Sequence, residues 1–258
     1  MIDFHTHILP NLDDGSRSIE ETFNLIKEAK KAGFEKIIFT PHYIEKYYET
    51  DVKERTVWQE AISKNLKDSE IKTYLASEIY MSDNIIKLLE EGKASTINNS
   101  SYVLFELPMN EEPMNLYDAI YAMQQYKLVP ILAHPERYSF VQKEPELIYE
   151  LIQKGVLMQS NYGSINGLYG KKAKYIVQRM LENNLVHFLG TDVHREKTLY
   201  EKVPEILEQI RNIIGEEKLK EITKTNAQLV LNNKRIDIRE PIEIKLNMKE
   251  KIKLKFLN

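Results

Sequence analysis

The sequence predicts an α/β chain folded as one closed or nearly closed parallel barrel. Three observations predict it. Seven short runs of β-branched, aromatic and other apolar residues recur along the chain. Each is followed by a stretch with helical spacing of apolar residues, the alternation that yields parallel strands joined by right-handed crossovers. The 258 residues, 42% of them hydrophobic, suffice for one large core. Periodicity alone also admits an open doubly wound sheet, but seven strands in a chain of this length favour closure.

The elements follow in order. The first strand is "IDFHTH" (2–7). A helix over 18–34 comes next, with Ser18 as N-cap, Glu21 completing a capping box and Gly33 as its stop. The strand "KIIFTPH" (36–42) leads to a helix over 52–69, and "TYLASEI" (73–79) to a helix over 83–92. "YVLFEL" (102–107) precedes a helix over 115–128, and "VPILAHP" (129–135) one over 144–155. "VLMQSN" (156–161) is followed by a helix over 171–184, and "VHFLGTD" (186–192) by one over 199–215. Several strands are almost wholly apolar, as strands covered on both faces should be. From 234 the pattern changes: apolar residues alternate with charges, and eight Lys/Arg face four Asp/Glu. Residues 233–258 therefore read as a basic C-terminal tail, a solvated segment or edge hairpin, with a membrane-surface or partner-binding role as the sharper alternative.

Bulk composition narrows the function classes. A formal charge of −3 disfavours bulk electrostatic binding of nucleic acid. With no cysteine, disulfides, thiolate metal sites and cysteine nucleophiles are excluded. The opening residues lack the basic n-region of a leader, and no apolar run approaches the roughly 20 residues of a membrane span. The expected location is the cytoplasm.

The polar residues are placed less evenly. Of six histidines, His5, His7, His42, His134 and His194 fall at or just past the C-terminal ends of expected strands. Glu78, Glu106 and Asp192 do the same. His187 lies inside its strand and reads as structural. A carboxylate at the end of an apolar strand is costly to desolvate unless something positive pairs with it. In a parallel barrel all these ends share one face, where barrel enzymes build their sites. With Asp14 from "NLDDG", nine imidazole and carboxylate ligands converge, enough for two or three divalent ions. His5 and His7, two apart on one strand, point the same way and can share an ion. Taken singly, each has a bland reading as a turn acid or scaffold histidine; their common placement is what argues for a metal centre.

These motifs resemble a known family. "DFHTHILPNLDDG", "FTPHY", "SEIY", "FELP", "AHPERY" and "GTDVH" are similar, in order and spacing, to the motifs of the PHP (polymerase and histidinol phosphatase) superfamily, over roughly residues 1–232. The match is nearest to its bacterial manganese-dependent protein-tyrosine phosphatases, which are associated with capsular and exopolysaccharide synthesis. The resemblance implies a distorted, TIM-like (β/α)7 barrel holding three divalent ions, manganese first, with iron, zinc or cobalt also admitted by the ligand types. It places His5, His7, Glu78 and Asp192 on the first ion and Glu78, Glu106 and His134 on the second. Asp14, His42 and His194 fall on the third. Arg137 would grip the substrate phosphate.

Relatives carry a second arginine a few residues beyond the equivalent of His194. Here the loop reads "HREKTLYEK", so Arg195 or Lys197 is left to make that contact. The implied substrate is a phosphotyrosine protein, a bacterial tyrosine kinase governing polysaccharide export. The implied chemistry is in-line attack by a metal-bridging hydroxide, with Asp14 and His42 in the catalytic set. Tyr43, Tyr47 and Tyr48 could form a slot for the substrate ring. Histidinol phosphatase is the alternative within enzymes, and a non-catalytic, metal-stabilised scaffold the alternative outside them.

Overall fold

Each strand contributes one rung to a wall that curls back on itself. In a computed structural model, which describes residues 1–66 and 71–257, nine short strands are found among the described residues. They are β1 (Ile2–Thr6), β2 (Lys36–Phe39), β3 (His42–Tyr43), β4 (Lys72–Leu75), β5 (Glu78–Tyr80), β6 (Tyr102–Glu106), β7 (Val129–Ala133), β8 (Leu157–Asn161) and β9 (Phe188–Gly190). They pair in parallel as β1-β2-β4 and as β3-β5-β6-β7-β8-β9.

Two of the expected strands are thus broken in the middle. The stretch expected as one strand over 36–42 is β2 and then β3, parted at Thr40–Pro41; Pro41 has no N–H to give a ladder. The stretch expected over 73–79 is β4 and then β5, because Ser77 turns its N–H to the carbonyl of Ser95 (3.2 Å) instead of along the sheet. The Ala76 and Glu78 amides still bond back to Phe39 and Pro41, so the wall is continuous across both breaks. It closes where β1 meets the segment after β9. The Asp192 amide donates to the carbonyl of His5 (2.8 Å) and the His7 amide to that of Val193 (3.0 Å). The seven expected rungs are therefore present, as a distorted barrel.

Helices pack around this wall. They are α1 (Ile19–Lys31), α2 (Val52–Asn65), α3 (Ile85–Glu90), α4 (Leu116–Gln125), α5 (Ser139–Lys143), α6 (Glu146–Gln153), α7 (Tyr162–Asn166), α8 (Gly170–Glu182), α9 (Val203–Lys220), α10 (Asn226–Leu231) and α11 (Met248–Phe256). Local chemistry explains their starts. Ser18 Oγ accepts from the Glu21 amide at 3.1 Å and Glu21 returns a bond to the Arg17 amide at 2.7 Å. Asp51 caps α2 through the Glu54 amide. The end of the helix expected over 52–69 reaches residues 67–70, which lie outside the described residues. The helices α5, α7 and α10 were not expected; each is too short to show a 3.6-residue period.

The interior of the barrel is apolar at its base, where Phe4 stacks on Phe188 with ring centroids 4.2 Å apart. Towards the C-terminal ends it turns polar, with His5, His7, Glu78, Gln159 and Asn161 all buried.

The tail departs from expectation. It is not a hairpin, and it is anchored at four apolar residues while most of its other described residues face solvent. Ile236, Ile244, Leu246 and Leu254 are buried against the barrel, and α11 replaces the expected strand. Alternation suits the extended piece before Asn247, whereas Met248, Ile252 and Phe256, spaced by four, suit a helix.

Candidate metal centre

The C-terminal ends of the strands bring the nine expected ligands together. Three groups of donor atoms lie within 4.8 Å of one another: His5, His7 and Asp192; His42, Glu78 and Glu106; and His7, Asp14, His42 and His194. His134 joins the second through Nε2, 2.9 Å from Glu78 Oε1 and 3.9 Å from Glu106 Oε2. The groups overlap, since His7 and His42 each belong to two. Glu78 Oε2 reaches His5 Nε2 (3.2 Å), His7 Nε2 (3.1 Å) and His42 Nδ1 (3.0 Å). It stands where a bridging carboxylate would. These groups differ in membership from the expected sets: His7 also lies in the outer group, and His42 lies with Glu78 and Glu106.

Hydrogen bonding decides which atoms are free. His5 Nδ1 donates to Gln159 Oε1 at 2.7 Å and His7 Nδ1 donates to Asp13 Oδ2 at 2.7 Å. In the neutral rings both Nε2 atoms therefore carry lone pairs, and these atoms are 2.9 Å apart. They face two further acceptors, Glu78 Oε2 and Asp192 Oδ1. His42 Nδ1 and Glu78 Oε2 are buried, 3.0 Å apart, and have no hydrogen-bond partner among the described residues. Lone pairs converging on lone pairs is repulsive unless a cation sits among them. The donor set, imidazole and carboxylate without thiolate, fits zinc, manganese or iron.

Titration behaviour says the same. Burial disfavours the imidazolium of His42, yet Glu78 and Glu106 outweigh it and push it up to about 12. Burial and His42 oppose charging of His7, but Asp13 and Glu78 raise it to about 10. Burial would raise Glu78, but His5, His42 and His134 hold it well below the ordinary carboxylate range. Positive charge is demanded at this rim, and protons supply it where a divalent ion would otherwise do so.

The chain contorts to build the rim. His134 and Asp192 both adopt positive φ, 37° and 53°, one residue after β7 and two after β9. That conformation is uncommon outside glycine and gathers at functional sites. Gly15 and Gly190 permit close approach: a Cβ on Gly190 would lie 2.5 Å from His5 Cβ, and one on Gly15 1.9 Å from the His7 carbonyl oxygen.

Sequence reasoning missed the residues behind the ligands. Asp13, not Asp14, is the buried member of the acid pair. Its carboxylate takes His7 Nδ1–H, the Gly15 amide (2.8 Å) and the His42 amide (2.9 Å). Asn161 donates to Asp192 Oδ2 at 2.7 Å, and Glu136 in "HPER" takes the Asn161 amide and the Ser164 hydroxyl. Polar Gln159 and Asn161 at the end of an expected buried strand were the available signal.

Of the substrate contacts expected, Arg137 is at the site. Its Nη1 donates to Asp192 Oδ2 at 2.6 Å, and its guanidinium carbon lies 4.2 Å from the centre of the Tyr169 ring. Arg195 commits Nη1 to the carbonyls of Gly15 and His194, so it ties the last loop to the first. The placement of Tyr43 in a substrate slot is corrected. Tyr43 is 2% exposed, packed in the core with its ring 6.0 Å from the Arg55 guanidinium carbon. Tyr43, the second residue of the β3 pair, points inward while His42 points to the rim. Tyr48, stacked near-parallel to His42 with centroids 6.1 Å apart, occupies the rim position instead.

A family model described as capsular polysaccharide synthesis, CpsB/CapC, matches residues 1–232. The chain belongs to the CpsB/CapC family. Among its relatives, the tyrosine-protein phosphatase YwqE of Bacillus subtilis is 30% identical over 247 residues, covering 95% of this chain and 97% of that protein. The tyrosine-protein phosphatase CpsB of Streptococcus agalactiae is 29% identical over 242 residues, 90% of this chain and 99% of that one. The solved structure described as that of YwqE from Bacillus subtilis and CpsB from Streptococcus pneumoniae, unique metal-dependent tyrosine phosphatases, superposes with a TM-score of 0.90. It is 30% identical and covers 95% of this chain and 100% of that one. A histidinol phosphate phosphatase from Lactococcus lactis aligns with a TM-score of 0.55 at 15% identity, over 86% of this chain and 94% of that one. That likeness is one of fold. The CpsB/CapC match ends at 232, just before the tail.

Proposed function

We propose that this chain is a metal-dependent protein-tyrosine phosphatase that hydrolyses phosphotyrosine by direct attack of water, without a phosphoenzyme. The observation that carries the metal is the 2.9 Å approach of His5 Nε2 to His7 Nε2, both facing carboxylates. The family and its named phosphatases support the reaction. Three ions, with manganese native, is our assignment; three overlapping ligand groups and the absence of thiolate support it.

When bound, such ions lower the pKa of a water from 15.7 towards about 7 and neutralise phosphoryl oxygens. The chain's own groups do the rest. Asp13 and Gln159 fix the tautomers of His7 and His5, so that Nε2 in each presents its lone pair. Arg137, pinned between Asp192 and the Tyr169 ring, offers a planar, always charged contact to the phosphate. Burial of the rim strengthens each of these electrostatic contacts. A phenolate leaving group, with a pKa near 10, departs without a strong acid.

We take residues 1–232 as the catalytic unit and 233–258 as accessory. The substrate we assign is a phosphorylated bacterial tyrosine kinase of polysaccharide export, met in the cytoplasm; the capsule family supports this. No helix among the described residues is long and apolar enough to cross a membrane.

The test is parallel turnover of a phosphotyrosine peptide and of histidinol phosphate with manganese, before and after chelation. Preference for the peptide, lost on chelation and restored by the metal, is expected. Preference for histidinol phosphate, or turnover indifferent to chelation, would overturn the reading.

A further inference from the structure

The segment after 233 is the part of the chain that the phosphatase reading leaves unused, and its charge sets it apart. It carries a net +4, so the remainder of this −3 chain carries −7. Its last element is not a loose end. The α11 helix opens with a reciprocal cap, Asn247 Oδ1 accepting from the Glu250 amide (3.1 Å) and Glu250 Oε2 from the Asn247 amide (2.9 Å). Tyr175 on α8 donates to Glu250 Oε1 at 2.8 Å, and Leu254 is buried where α11 meets α5.

The helix so held presents an apolar stripe to water. Met248, Ile252 and Phe256 follow one another at intervals of four, which aligns them on one face. They are 79%, 51% and 80% exposed. Lys249 and Lys251 are exposed on the same short helix. Between α11, α5 and α8 runs a groove of about 510 Å³, floored by Leu246, Met248, Ile252 and Leu254 and edged by Lys143, Lys172 and Lys251.

An apolar stripe and an apolar groove, both bordered by lysine, are what an interfacial helix offers to headgroups and acyl chains together. An acidic protein would satisfy the lysines and leave the stripe wet; an anionic bilayer satisfies both. Glu112, Glu144, Glu146 and Glu150 line the adjoining groove, which shares Lys143 and Lys251, and Glu146 Oε1 lies 3.9 Å from Lys251 Nζ; the attractive patch therefore lies towards Lys172 and Lys249.

We propose that α11 and its groove dock this protein peripherally on an anionic lipid surface, Met248, Ile252 and Phe256 entering the headgroup layer and the surrounding lysines meeting lipid phosphates. The docked face adjoins the catalytic rim, since α5, on which α11 rests, begins two residues after Arg137.

The test is co-sedimentation of the full chain with vesicles of phosphatidylcholine alone or mixed equally with phosphatidylglycerol. At least tenfold stronger partitioning to the mixed vesicles is expected, falling as sodium chloride rises from 50 to 500 mM. The double substitution Met248→Ser, Phe256→Ser should weaken it at least fivefold while phosphotyrosine-peptide turnover in solution is unchanged. Each of Lys249→Gln and Lys251→Gln should weaken it by about fivefold. Equal partitioning to both vesicle types, or none to either, would overturn the proposal. So would full vesicle binding by the double variant together with lysine-dependent binding to polyglutamate, which would assign the surface to an acidic protein. The lipid and salt dependence of the parent chain need no substitution, so a variant that fails to fold leaves the test standing. Failure here leaves the phosphatase reading untouched, because turnover is read separately.

Discussion

Replacing Asp13 with asparagine should cripple metal binding although Asp13 is not among the clustered ligands. Its Oδ2 accepts from His7 Nδ1 at 2.7 Å and from the His42 amide at 2.9 Å, and its Oδ1 from the Gly15 amide at 2.8 Å. Burial would raise its pKa, yet His7 and His42 hold it far below the ordinary carboxylate range, so it is charged at every working pH. Asparagine keeps the shape and one acceptor. Its amide NH2, however, must face either His7 Nδ1–H or a backbone N–H, donor against donor. Where the NH2 faces His7, the imidazole must move its proton to Nε2 or rotate, and either change removes a lone pair from two ligand groups at once; turned the other way, it opposes the Gly15 amide and displaces the loop that holds Asp13 against His7.

Loss of such an orienting partner costs 10- to 100-fold in metal affinity, about 1.4 to 2.7 kcal/mol. The lost charge-assisted bonds add ~2 kcal/mol of destabilisation, roughly 4–8 °C in Tm for a chain of this size. The assay is titration of metal-free protein with manganese against a fluorescent chelator, with circular dichroism to confirm folding. Asp14→Asn is the comparison, since Asp14 belongs to the outer group alone. A folded Asp13→Asn protein that binds within twofold of the parent would refute the reasoning.

Other expected outcomes are more quickly stated. Arg137→Ala should lower kcat/KM on a phosphotyrosine peptide by about 10- to 100-fold, the worth of a hydrogen-bonded charged contact, with bound metal unchanged by elemental analysis. Gly190→Ala should destabilise by ~1–3 kcal/mol or more in denaturant titration, because its Cβ would lie 2.5 Å from His5 Cβ and 2.9 Å from His5 N. His187 gives a pH dependence away from the rim. Burial, aided by Lys218, lowers its pKa from 6.5 to about 4, and neutral Nδ1 accepts the Met158 amide. Between pH 6.5 and 4 the unfolded chain holds this proton and the folded chain does not, so stability falls as pH falls through that window, by roughly 3 kcal/mol in all. Urea titrations from pH 7 to 4 should show the decline for the parent and a shallower one for His187→Gln.

How much of this was legible in the sequence follows from the physics of each signal. Strand ends were legible because imidazoles and carboxylates interrupt apolar runs, and the parallel arrangement sends every such end to one face. That is how His5 and Asp192 could be joined across the chain. The break at Ser77 was not legible, since it depends on where one amide finds its acceptor, whereas Pro41, which has no N–H to give, was a signal the apolar run around it concealed. Asp13 and Asp14 are chemically alike and adjacent, so only burial separates the orienting residue from the candidate ligand. Tyr43 was misplaced for a related reason: beside His42 on a strand, it must point the opposite way. The tail was misjudged because burial of Ile244 and Leu254 depends on what the rest of the fold leaves uncovered, which no local pattern encodes.

The central claim is that residues from both ends of the chain cage divalent cations at one rim. Anomalous diffraction from crystals grown with manganese tests it most directly. The account predicts anomalous peaks among His5, His7 and Asp192, among His42, Glu78 and Glu106, and among His7, Asp14, His42 and His194. A map with no peak at any of these positions, from protein whose turnover survives chelation, would contradict it.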